Sequence, residues 1–261
     1  MILYTIALLL GALFIILYVR RKKEKQRKNK AAANIYSELL NEHVQYYQLL
    51  NEKEKERFGT MVNEFLQYVH IEGVGTEVTD LDKVYIAASA VIPIFGFPGW
   101  KYRNLTNVIL YPDTFDHNFQ FEGDERNILG MVGSGYMNGQ MLLSRAALIK
   151  AFSSVSGAEH TAIHEFVHLL DMSDGATDGI PENLMRNEYA VPWLKMMHKE
   201  MRRIEQGQSD INPYALTNEA EFLAVTSEYF FQKPEKFKEH HPEIYAQMSR
   251  IFGQMPPETG S

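Results

Sequence analysis

His164-Glu165-Phe166-Val167-His168 sets two imidazoles four residues apart, with a carboxylate directly after the first. On an α-helix, positions i and i+4 lie on one face, one turn apart, so each ring can offer a nitrogen to a single cation. Glu165 sits one step round from His164, where its carboxylate reaches a water activated by the cation rather than the cation itself. The surrounding residues Ala162, Ile163, Phe166, Val167, Leu169 and Leu170 are apolar, which marks a helix facing the core over most of its surface. Two histidines and a glutamate on a buried helix are costly unless they are paired. The pattern therefore points to a metal site with a general base beside it.

The chain has no cysteine, so disulfides and thiolate sites are excluded, and any transition metal is held by His, Asp or Glu. A catalytic zinc takes three protein ligands and leaves a fourth position open. Asp171, Asp174, Glu219, Glu221 and Glu228 are the candidates for the third ligand. Asp171, three residues after His168, suits a bond to the outer nitrogen of a ligand imidazole better than direct ligation. Asn218 is a good N-cap for a helix over 218–232, which places Glu221 in the first turn, where a carboxylate serves equally as cap or ligand. His160 shares the face of His164 and reads as a solvated or supporting residue at the helix start. His240 and His241, beside Pro242, read as a surface turn, and His43, His70, His117 and His198 have no ligand spacing.

These residues need a body to position them. The 261 residues are 45% hydrophobic, enough for one sizeable core. Apolar residues at three-to-four spacing from Tyr36 to Val69 predict helix over 32–70, and 82–92 reads as a buried helix, with Pro93, Gly96, Pro98 and Gly99 breaking the chain afterwards. The β-rich segments 107–111 and 140–144 read as strands, and either could be the sheet edge along which a peptide substrate lies, with 140–144 favoured because it is nearer the histidine helix. A short helix at 146–152 and longer ones at 158–172, 188–206, 218–232 and 242–252 complete an α+β domain, mainly helical, with a small mixed sheet.

The N-terminus has a different composition. Residues 2–19 carry no charge and as a helix would span roughly 27 Å, close to the hydrocarbon thickness of a bilayer. Eight basic residues against Glu24 alone then give +7 between Arg20 and Lys30, while the whole chain is −7, so the remainder carries −14. An acidic body argues against direct nucleic-acid binding. The charges follow the apolar run rather than precede it, which favours an uncleaved transmembrane anchor over a signal peptide. The expected division is an anchor over 1–19, a basic linker over 20–32 and a catalytic domain over 33–255. The positive-inside bias places that domain on the cytoplasmic side of the inner membrane.

Together these residues resemble the Mlc titration factor A family of zinc-dependent peptidases, which shares its catalytic-domain pattern with the anthrax lethal factor protease. The resemblance rests on His164-Glu165-Phe166-Val167-His168-Leu169-Leu170-Asp171 and on Tyr214-Ala215-Leu216-Thr217-Asn218-Glu219-Ala220-Glu221-Phe222, and more loosely on Ile86 to Ala90, Val108 to Pro112 and Gly139 to Ser144. It implies a zincin-like, gluzincin-type domain with one Zn2+ held by His164, His168 and Glu221. Glu165 would be the base, and Tyr214 would steady the transition state. It also implies hydrolysis of peptide bonds, of the aminopeptidase kind, in a regulatory role toward a transcriptional repressor partner. The competing reading is a zinc-containing binding protein that sequesters such a regulator without catalysis; a structural site would need neither Glu165 nor Tyr214.

Overall fold

A computed structural model describes residues 2–116, 128–133, 138–153, 159–185 and 189–258, excluding the side chains of residues 2–13, 16 and 25–31. In chain order the elements are α1 (Ile2–His43), α2 (Gln45–Gln48), α3 (Glu52–Tyr68), β1 (His70–Gly73), α4 (Asp80–Ile94), β2 (Leu105–Tyr111), β3 (Gly130–Val132) and β4 (Gly139–Ser144). Then follow α5 (Arg145–Ala151), α6 (Thr161–Asp171), α7 (Ala190–Glu205), α8 (Glu219–Gln232), α9 (Pro234–His240) and α10 (Pro242–Ile251). The mainly helical α+β expectation holds. The helix expected over 32–70 is instead divided: Asn51 opens α3 with a capping box, accepting from the Glu54 N–H while the Glu54 carboxylate accepts from the Asn51 N–H.

The four strands run in the order β1-β2-β4-β3. β1 pairs with β2 and β2 with β4 in parallel, and β3 lies antiparallel to β4. Both strands expected as the substrate edge are therefore interior, and the edges among the described residues are β1 and β3. The correction has a simple cause. β1 and β3 are four and three residues long, too short to show a period of two, and owe their strand state to their longer partners.

Helix α4 is buried along nearly its whole length and packs on α3 and α6, while α8 packs across α6. Its N-terminus is closed by a capping box between Thr79 and Asp82. The same Asp82 takes a two-pronged ion pair from Arg145, Nε to Oδ1 at 2.9 Å and Nη2 to Oδ2 at 2.8 Å, which ties α4 to the start of α5. Behind α6 the chain returns through Gly179. Its φ of +74° is left-handed, and a side chain there would put Cβ 2.3 Å from the Glu219 carbonyl oxygen. The Gly179 N–H donates to Asp171 Oδ2 and its carbonyl accepts from Trp193 Nε1, so one glycine joins α6, α7 and the start of α8.

At the N-terminus α1 is one continuous helix through both the expected anchor and the expected basic linker, ending at His43. Most side chains of 2–19 lie outside the described residues. Among those described, no helix is long and apolar enough to cross a membrane, so the fold gives the transmembrane expectation no support. His117, part of the turn-rich 133–139 and the stretch before α6 also fall outside the described residues.

Candidate metal centre

Helix α6 carries the two histidines. It begins at His160, whose Nδ1 accepts the Ile163 N–H at 3.3 Å. His160 is therefore a fully buried N-cap rather than a solvated residue, and burial lowers its pKa to about 3. One and two turns on, the rings of His164 and His168 lie edge to face with centroids 4.7 Å apart. Phe166 and Val167 point into the core, as their sequence positions require.

The third group comes from α8. Asn218 caps that helix by accepting the Glu221 N–H at 2.9 Å. The Glu221 carboxylate does not return the bond to Asn218; it points at the histidines, with Oε2 2.9 Å from His164 Nε2 and 3.5 Å from His168 Nε2. The two imidazole nitrogens are 3.1 Å apart. The carboxylate thus stands with the imidazoles and not with the cap, which spacing alone left open. His164, His168 and Glu221 form the one group among the described residues with a metal-holding arrangement.

This donor set fits a tetrahedral cation. Bonds of about 2.0–2.1 Å at the tetrahedral angle separate ligand atoms by about 3.3–3.4 Å. The triangle of 2.9, 3.1 and 3.5 Å brackets that spacing. Electrostatics agree, because Glu165, Glu221 and Glu228 surround two imidazoles and leave the pocket short of positive charge. Burial opposes charging His164, but Glu221 and Glu228 outweigh it and raise its pKa to about 10. Burial likewise pushes Glu221 up, and His164 and His168 outweigh it to hold the carboxyl at about 2.

The remaining acidic candidates have other partners. Glu228, two helical turns after Glu221, accepts from His164 Nδ1 at 2.8 Å and also from the His160 N–H. It fixes the ring so that Nε2 faces Glu221 and His168, which makes it the orienting carboxylate that Asp171 was expected to be. Asp171 instead accepts from Gly179, and its buried Oδ1 has no hydrogen-bond partner among the described residues; burial raises its pKa to about 6. Asp174 caps the Ala176 and Glu182 amides, and Glu219 pairs with His198 at 2.9 Å. Removing Glu228 leaves the ligands in place but frees the His164 ring. Glu228→Ala should weaken metal affinity about 10–100-fold, measured by competition with a chelator, with excess metal restoring occupancy.

Glu165 is 8% exposed and lies beside the triad on the side of β3. Gly130, on β3, allows the strand to come this close: a Cβ there would meet Thr161 Cγ2 at 2.8 Å and Glu165 Cγ at 2.9 Å. Burial, with Glu221 and Glu228 adding to it, raises the Glu165 carboxyl against the opposing pull of His164 and His168. A carboxylate raised in this way is a stronger proton acceptor. Tyr214 sits in the turn Pro213–Leu216, its ring centroid 6.1 Å from that of His164 and its side chain 55% exposed. Burial raises its pKa, helped by Glu221 and Glu165, so the hydroxyl keeps its proton and remains a donor.

Comparison with known proteins gives concordant matches. Residues 18–253 match the family described as glucose-regulated metallo-peptidase M90. The chain is 29% identical to Mlc titration factor A of Escherichia fergusonii over 224 residues, covering 79% of this chain and 82% of that one. It is 28% identical to Mlc titration factor A of Yersinia pestis over 227 residues, covering 79% and 80%. It is also 26% identical over 241 residues to an uncharacterized Synechocystis protein, slr2042, covering 88% and 87%.

Proposed function

The chain belongs to the glucose-regulated metallo-peptidase M90 family, and on that premise we propose that it is a zinc-dependent peptidase whose Zn2+ ligands are His164, His168 and Glu221. The observation that carries this reading is the convergence of the three ligand atoms, all within 4.8 Å of one another, beside a buried glutamate that belongs to neither cap nor ligand set. When bound, zinc would polarise a carbonyl and lower the pKa of a water to about 7.

The chain's own residues do the rest. Glu165 accepts the proton of the attacking water and passes it to the leaving amine. Tyr214 donates a hydrogen bond to the oxygen on which charge develops, a bond worth most in the transition state. The partner-free edge of β3 among the described residues, held against Glu165 by Gly130, offers main-chain groups to an extended peptide. Glu228 holds His164 in the tautomer that presents Nε2 inward. Tyr214→Phe should lower turnover about 10²-fold and leave metal content unchanged; stopped peptide assays with elemental analysis check both.

The finer reading is an aminopeptidase with a regulatory role. Its regulatory part is supported by relatives named Mlc titration factor A, a name that points to a regulator as their partner, and its aminopeptidase part rests on the family resemblance alone. An anchor over 2–19, with the basic stretch at the cytoplasmic face, rests on the composition of those residues. Digestion of a fluorogenic peptide library with and without chelator tests the enzyme. Chelator-sensitive cleavage is expected. A metal-loaded chain that cuts nothing but captures a protein partner would favour the sequestering alternative. Deleting residues 1–32 and following the body between membrane and soluble fractions tests the anchor, with release expected.

A further inference from the structure

The sequence reads His240 and His241 as a surface turn, but His241 is 4% exposed and sits between two carboxylates. Its Nε2 donates to Asp210 Oδ1 at 2.7 Å, and its Nδ1 lies 3.2 Å from Glu200 Oε1, an ion-pair contact without hydrogen-bond alignment. Asp210 is the hub. Its Oδ2 takes the Tyr229 hydroxyl at 2.7 Å, His240 Nδ1 at 2.9 Å and Lys236 Nζ at 2.8 Å. These partners come from α8, from α9 and from the α9–α10 junction, while Glu200 on α7 is held from behind by Arg203 at 2.8 Å. The rings of Tyr229 and Phe237 complete the wall around His241.

Asp210 lies four residues before Tyr214. Between them Ile211 is buried, and Asn212 accepts the Tyr214 N–H at 3.0 Å. After them the Thr217 hydroxyl donates to the Tyr214 carbonyl at 2.8 Å, and Asn218 begins α8. The Tyr214 side chain is itself more than half exposed, and its hydroxyl has no hydrogen-bond partner among the described residues. Its position therefore depends on the backbone that carries it, and that backbone is fixed at its upstream end by Asp210.

We propose that Asp210, clamped by His241, Lys236 and Tyr229, is the positioning residue of the Tyr214 turn, and that the clamp sets where the tyrosine hydroxyl stands over the metal centre. This rests on the reading of Tyr214 given above. The charges fit a clamp. Burial pushes Asp210 up, but Lys236, His241 and Tyr229 outweigh it and hold the carboxyl below the usual range. Burial works against a charged His241, and Glu200 and Asp210 outweigh it and raise the ring. Burial also raises Glu200, which His241 and further partners bring down to about 2 from 4.5. His241 contributes in full below about pH 6.5, and that contribution fades as pH rises through its raised value. Glu200 contributes in full above about 4.5, and that contribution is lost as pH falls toward about 2.

Asp210→Asn keeps the shape and removes the charge. In the full-length chain it should lower the amide protection of Tyr214, Ala215 and Thr217 by about 10-fold, with α6 unchanged. On a quenched peptide library it should cut kcat about 10-fold, with KM within about twofold and metal content intact. In a Tyr214→Phe background the same substitution should cost nothing further. Unchanged protection would overturn the clamp. An equal fall in kcat in both backgrounds would overturn its action through Tyr214. If Tyr214→Phe alone keeps full turnover, the reading of Tyr214 fails first and the positioning role goes with it.

Discussion

Glu165→Gln is expected to lower kcat by about 10²–10⁴-fold while the chain still carries one metal ion. The substitution keeps the volume of a side chain that is 8% exposed and packed against Gly130, so it should not disturb β3 or α6. It also leaves every ligand atom in place, because Glu165 belongs to neither the His164–Glu221 nor the His164–Glu228 contact. What it removes is the proposed proton acceptor. A full rate from a metal-loaded Glu165→Gln sample would mean that the base is another group. Steady-state peptide assays beside elemental analysis of the same sample give the answer.

His168→Ala should behave differently, losing the metal and hydrolysis together. Its Nε2 stands 3.1 Å from His164 Nε2 and 3.5 Å from Glu221 Oε2, one corner of the triangle. A tetrahedral site left with two protein ligands should hold zinc far more weakly than a site that loses only an orienting partner, where the drop is about 10–100-fold. The fold should survive, since the His168 side chain is not among the fully buried ones and the packing of α6 rests on Ile163, Phe166, Val167 and Leu170. Dialysed protein analysed for metal, together with its circular dichroism, separates loss of the ion from loss of the fold.

The parts of the fold that could be read from sequence are those written in long repeats. Helices α4, α6, α7, α8 and α10 fall within a few residues of their expected bounds, because apolar spacing over three or more turns is hard to produce otherwise. β2 and β4 were legible as short β-branched or aliphatic runs between turn residues. β1 and β3 were not, since they are four and three residues long and take their strand state from the longer partners β2 and β4, and α9 is a short helix set between Pro234 and Pro242. The substrate edge was misplaced for the same reason.

The site divides along similar lines. His164, His168 and Glu165 declare themselves by helical spacing, whereas Glu221 is ambiguous until its carboxylate is seen to leave the cap and face the imidazoles. Glu228 stood among the ligand candidates, and its seven-residue spacing from Glu221 puts both on one face of α8, a signal available in the sequence. Its role as orienting partner needed the second nitrogen of His164 to be located. The clamp around Asp210 joins residues 200, 210, 229, 236 and 241, and no local pattern links them.

The central claim is that His164, His168 and Glu221 hold one zinc ion. X-ray absorption at the zinc edge of the purified full-length chain tests it most directly. The expected result is one zinc per chain with two imidazole nitrogens at about 2.0–2.1 Å and oxygen at about 2.0–2.2 Å, lost on Glu221→Ala. A chain that binds no zinc, or whose zinc signal is the same after Glu221→Ala, would contradict it.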